Sequence, residues 1–193
     1  MIILETNRLI LRTYKETDID AMAAIDQDPK VCEFLPAIGN RAATETGVRK
    51  IMKHYEKHGF CLYAVELKST REFIGWVGLA IPSFEAHFTP AVEIGWRLSS
   101  NHWNQGYATE AAKAVLNYAF NTLSLAEIVS FTAVNNQPSR RVMEKIGLTH
   151  HPEGDFDHPK LEKSHPLCRH VLYRLKKEAF NVNCENAISA TRL

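Results

Sequence analysis

A chain of 193 residues, 45% apolar and 23% charged, is ordinary for a globular protein and long enough to bury the core of one domain. A formal net charge of +1 leaves no electrostatic footprint for nonspecific nucleic-acid binding. No apolar run approaches the length of a membrane span, the opening Met1-Ile2-Ile3-Leu4 is too short for a signal-peptide core, and Cys32, Cys61, Cys168 and Cys184 form no CxxC pair, so the expectation is a cytoplasmic protein with reduced thiols.

Residues 3–13 read as a strand, with Leu9 and Leu11 on one face and Arg8, Ile10 and Arg12 on the other. Thr17 or Asp18 can cap a helix whose apolar spacing runs through Ile19, Met22, Ala23 and Ile25. Leu35 to Asn40 is a loop by its proline, glycine and asparagine. Residues 42–57 are helical again, with Val48, Ile51, Met52 and Tyr55 as the apolar stripe and His58-Gly59 as the stop. Residues 61–67 and 72–80 are strands around a turn at 68–71, and a third strand covers 91–98. A helix follows over 106–123. Residues 127–134 alternate as a strand with Val129, Phe131 and Ala133 on one face. Pro138 starts a short helix that Gly147 closes, and a last strand covers 168–176. These elements predict a mixed α/β fold, a mostly antiparallel sheet with helices on its faces, as one domain over 1–180. The segment 181–193 lacks periodicity and is expected to be a loosely held tail.

The decapeptide WNQGYATEAA, residues 103–112, combines a polar glycine turn with an alanine-rich helix start directly after a strand. Unpaired amides at a helix start suit an anion, and a glycine lets backbone approach it closely. Many strand–helix turns also contain glycine without binding anything.

Four segments together resemble the GCN5-related N-acetyltransferases (GNAT), and within them the ribosomal-protein-acetyltransferase-like (RimJ/RimL-like) branch. They are ETNRLILR (5–12), EIGWRLSSNHWNQGYATEA (93–111), NNQPSRRVMEKIGL (135–148) and HPLCRHVLYRL (165–175). The resemblance implies a sheet splayed at a cofactor slot, and acetyl-coenzyme A as cosubstrate. It assigns the pyrophosphate turn to Trp103, Asn104, Gln105, Gly106, Tyr107 and Ala108, with Trp103 standing where the family usually has Arg or Gln. Thr109 is either a hydroxyl contact to phosphate or an ordinary first-turn residue. The resemblance assigns pantetheine pairing to the end of the preceding strand, Trp96, Arg97 and Leu98. Asn136 and Ser139 match its Asn-x-x-Ser element near the thioester, although Asn136 could simply cap the next helix.

Glu93 is the candidate general base, a carboxylate in an otherwise apolar strand. The bland alternative is a solvent-facing residue on the same side as Arg97. Met143 occupies the place of the family's usual tyrosine acid, which leaves Ser139 as the nearest matching hydroxyl at the leaving sulfur, with Tyr107 a poorer choice. His150, His151, Asp155, Asp157, His158 and His165 match no common zinc spacing, so no metal site is expected, and the resemblance puts this region near the acceptor. The expected activity is acetyl transfer from acetyl-coenzyme A to a primary amine by direct attack. The acceptor is open between a peptide N-terminus and a small molecule, and the chain between monomer and homodimer. No nucleic-acid or membrane partner is expected. The alternative is a non-catalytic coenzyme-A-binding regulatory module.

Overall fold

The computed structural model describes residues 1–35 and 39–182. Pro36, Ala37 and Ile38 of the expected loop, and the tail from 183, lie outside the described residues. The chain divides into two compact units. One comprises Met1–Ala80 with Ile94–Val115, the other Ile81–Glu93 with Leu116 onward.

The first unit opens with a hairpin rather than the single strand expected over 3–13. Strands β1 (Ile2–Glu5) and β2 (Leu9–Arg12) are antiparallel, with Leu4 opposite Leu11. Thr6 breaks the run. Its amide donates to the Leu9 carbonyl at 2.9 Å, and its hydroxyl accepts from the Leu9 amide at 3.0 Å. The alternation holds only from Arg8 to Arg12, and the polar run Glu5-Thr6-Asn7-Arg8 before it is where the chain turns. A short 3₁₀ turn at Glu16–Asp18 leads into α1 (Ile19–Asp26), and α2 (Pro29–Cys32) starts where the Asp28 side chain accepts from the Lys30 amide. In α3 (Arg41–His58), Asn40 caps by accepting from the Ala43 amide at 2.9 Å, and Gly59 ends the helix at φ 75°. Val48 of α3 joins Tyr14, Met22 and Ile25 in a buried cluster against which Ile51 and Met52 pack, as the apolar stripe required. Strands β3 (Leu62–Leu67) and β4 (Phe73–Ala80) form an antiparallel pair, and β2 pairs antiparallel with β3.

Strand β5 (Glu93–Leu98) and helix α4 (Tyr107–Asn121) flank the glycine turn. Gly75 of β4 has φ 127°, and a side chain there would run into the carbonyl of Arg97. That glycine lets β4 lie against the end of β5.

The second unit contains β6 (Glu127–Ala133), α5 (Gln137–Lys145), β7 (Thr149–His150), β8 (Phe156–Asp157) and β9 (Arg169–Lys176). The long antiparallel ladder is β6 with β9, and β7 and β8 add to β9. Glu93, which begins β5, pairs parallel with Val129, and the Val129 amide donates to the Val92 carbonyl at 3.0 Å. The strand expected over 91–98 is β5, and its one parallel pair makes the sheet mixed. The class is the expected α/β, mostly antiparallel with helices on the strands.

Candidate active site

In the first unit, the turn at 103–106 is exposed, and two of its residues, Asn104 at φ 59° and Gly106 at φ 81°, take the left-handed conformation. The Glu110 amide donates to the Gly106 carbonyl at 2.9 Å. By helix geometry, the amides just before it have no helical carbonyl to meet. They form a ready anion cradle at the positive end of a 15-residue helix. Trp103 does not replace the family's Arg or Gln in kind. Its indole donates to the Leu98 carbonyl at 2.8 Å, which pins the turn to the strand end, and its ring is 39% exposed. Gln105 donates from its side chain to the Asn101 carbonyl at 3.2 Å. Tyr107, Ala108 and Thr109 are half-buried in the first turn, and Ala111 and Ala112 are fully buried, which keeps α4 close to its neighbours.

The charge at this turn comes from Arg8, which sits just before β2. Its guanidinium donates from Nη1 to the Gln105 carbonyl at 2.9 Å and from Nε to Glu110 at 2.6 Å, and it lies 4.4 Å over the Tyr107 ring. A Cβ placed at Gly106 would sit 3.4 Å from Nη2. Burial alone would raise the Glu110 carboxyl, but hydrogen bonds from Thr6 and Arg8 outweigh it and hold the carboxyl below the usual range. The ETNRLILR segment is therefore tied to the glycine turn and the helix start by contacts 97 to 104 positions apart in sequence. No local pattern could reveal that link.

Trp96 and Arg97 are half-buried on β5, and Leu98 is buried. The Arg97 side chain is engaged elsewhere, paired with Asp26 at 2.6 Å and 5.5 Å from the centre of the Trp76 ring. Only its backbone is available for a ligand along the strand.

In the second unit Glu93 is half-buried. Burial pushes its carboxyl up to about 7, against the opposing charge of Lys160. Asn136 caps α5: its side-chain oxygen accepts from the Ser139 amide at 3.2 Å, and its nitrogen donates to the Thr132 hydroxyl at 2.9 Å. The capping alternative thus holds for Asn136, and it brings Asn136 and Ser139 together. Met143 is 1% exposed and fills the core, so no hydroxyl stands at that place on α5. Tyr173 of β9 does reach the same helix. Its hydroxyl donates to Glu144 at 3.1 Å and accepts from Arg140 at 3.3 Å.

The histidine-rich segment divides between roles. His150 stacks on Tyr173 at 5.1 Å and meets Asp155 at 2.9 Å. His165 accepts from the Leu167 amide at 3.1 Å. His158 lies 5.0 Å from His170 and 4.8 Å from Phe84, ring centre to ring centre, and burial lowers both histidines. Among the described residues no group of three or more metal-ligating side chains converges.

Residues 8–149 match the family profile described as an acetyltransferase (GNAT) domain. The chain belongs to the GNAT acetyltransferases. Among its relatives, the uncharacterized protein YkkB of Bacillus subtilis is 31% identical over 146 residues, 75% of this chain and 84% of that one. The FsC-acetyl coenzyme A-N(2)-transacetylase of Aspergillus fumigatus is 45% identical over 83 residues, 41% of this chain and 35% of that one. Among solved structures, a GNAT-family acetyltransferase from Bacillus anthracis superposes with a TM-score of 0.75 at 27% identity, covering 92% of this chain and 99% of that one. This GNAT protein is an acetyl-coenzyme-A-dependent acetyltransferase, with acetyl-coenzyme A as cosubstrate.

Proposed function

We propose that the enzyme moves the acetyl group to a primary amine by direct attack, with Glu93 as general base. The observation that carries this is a half-buried carboxyl pushed up to about 7, a value suited to taking a proton at ordinary pH. Bound acetyl-coenzyme A supplies the acetyl group as an activated thioester. The backbone of 105–109, Gly106 foremost, accepts the pyrophosphate, with Arg8 adding charge and Trp103, Asn104 and Thr109 completing the turn. The backbone of Trp96, Arg97 and Leu98 pairs with pantetheine. Asn136 and Ser139 face the thioester, and Ser139 donates to the leaving sulfur. The resemblance of the four segments supports the RimJ/RimL-like branch, and with it a cytoplasmic enzyme acting as monomer or homodimer. The buried, free Cys32, Cys61 and Cys168 fit a reducing compartment.

Replacing Glu93 with Gln keeps shape and removes the proton acceptor. Because the carboxyl is raised, the base form fills in as pH climbs through about 7, and activity should rise with it. In Glu93→Gln, kcat/KM should fall by about 10²–10⁴ and that rise should vanish. A loss under about tenfold with the pH profile intact would leave positioning alone as the mechanism. Membership of the acetyltransferase family sets aside a non-catalytic coenzyme-A-binding module, and the buried Met143 bears only on which group protonates the leaving thiolate.

A further inference from the structure

Paired strand residues project on the same side of a sheet. In the second unit the pairings Glu93 with Val129, Phe131 with Leu172, Ala133 with His170, and Phe156 with His170 put all these side chains on one face. The base candidate therefore shares a face with an aromatic group. The segment 81–91 covers that face. Its Phe84 ring lies 5.6 Å from Phe131 and 4.8 Å from His158, and its Phe88 ring lies 5.0 Å from Phe156. A sealed core would bury all of these rings. Here Phe88 and Phe156 are buried, while Phe84, Phe131 and His158 keep part of their surface open. Ala86 and Ala91 of the same covering segment pack on the cluster.

One cation stands at this wall. The exposed Lys160 ammonium meets the Ser83 hydroxyl at 2.6 Å and sits 6.0 Å from the Phe84 ring centre. Among the described residues it forms no ion pair, although its charge is felt at Glu93. A base and an unpaired ammonium beside a half-open aromatic wall match the two charges and the side chain of one kind of molecule.

We propose that the acceptor is a free aromatic or bulky apolar amino acid, its carboxylate held by Lys160 with Ser83, its side chain laid against Phe84 and Phe131, and its amine directed to Glu93. This rests on the amine-acetylation reading above. The ammonium gives one proton to Glu93. The neutral nitrogen forms the N–C bond, the C–S bond breaks with its electron pair passing to sulfur, and the second proton that the nitrogen sheds goes to the thiolate. The products are an N-acetylamino acid and coenzyme A.

Thiol-release rates with phenylalanine, phenethylamine, glycine, spermidine and a peptide, each as kcat/KM, test this. Phenylalanine should exceed phenethylamine, which lacks the carboxylate, by about tenfold or more, the scale of a lost charge-assisted contact, and glycine, which lacks the ring, by about tenfold or more, the scale of lost apolar burial. In Lys160→Met the ratio of phenylalanine to phenethylamine should fall below about threefold, and Lys160→Arg should restore it. Taking the ratio at one pH cancels any change that losing Lys160 makes to Glu93. Equal rates for phenylalanine and phenethylamine, or a Lys160→Met loss equal for both, overturns the proposal. Turnover of spermidine or peptide with phenylalanine inert overturns it too but leaves amine acetylation standing. No thiol release with any amine sinks both.

Discussion

Arg8 lies at the junction of three things a phosphate site needs. It faces the first turn of α4, it neutralises the Glu110 carboxylate beside that turn, and it stacks on Tyr107. Without it, Glu110 would oppose the approach of an anion. Arg8→Gln should therefore weaken acetyl-coenzyme A by about tenfold, the scale of one charge-assisted bond. The affinity for acetyl-pantetheine, which has no pyrophosphate, should change less than about twofold. Calorimetric titration with both ligands separates the cases, since a general loosening of the turn would weaken them equally. Sequence alone made the glycine turn and Glu93 visible, because each is a residue type out of keeping with its immediate neighbours. Arg8 and Lys160 were hidden for a different reason. Each looks like an ordinary surface cation until the fold brings a distant carboxylate or ring beside it.

At the scale of elements, the helices were legible where caps and apolar spacing agreed, as with Asn40, Val48 and Gly59 for α3. The two-residue strands β7 and β8 were not, because two residues carry no period and their existence depends on β9. Arg12 shows how the elements of the first unit are joined. Its side chain is buried, makes two 2.7 Å bonds to Asp18 before α1, and one of 2.6 Å to Glu66 on β3. The second Glu66 oxygen lies 3.1 Å from Arg71. An alternating strand pattern had suggested that Arg12 faces away from the Leu9 and Leu11 side, which says nothing of whether that side is wet. Removing one member of such a network leaves buried charges without a partner, so Arg12→Met should cost about 3–5 kcal/mol in urea unfolding. Arg41→Ala is the contrast, because its ion pairs with Asp20 and Glu45 are exposed and should contribute less than about 1 kcal/mol. Equal losses in the two variants would mean that the Arg12 network is no more than surface charge.

For the molecule as a whole, the turn at 103–109 makes a thermodynamic claim that needs no acceptor. A ligand that binds only the folded chain stabilises it by about 2.7 kcal/mol at a hundred times its Kd. For a chain of 193 residues, each kcal/mol moves the melting temperature by about 2–4 °C, so acetyl-coenzyme A at that concentration should raise it by about 5–10 °C. Gly106→Val should lose that rise. A branched side chain is strained at φ 81° and stands where phosphate would meet the backbone. The variant's own melting temperature reports the strain, while the shift on adding ligand reports the site, so the two effects are read separately in one experiment. Gly106→Ala, with a smaller side chain, serves if the valine variant does not fold. A full ligand shift in a folded Gly106 variant would move the phosphate site away from this turn, and with it the reason for Arg8 to stand where it does.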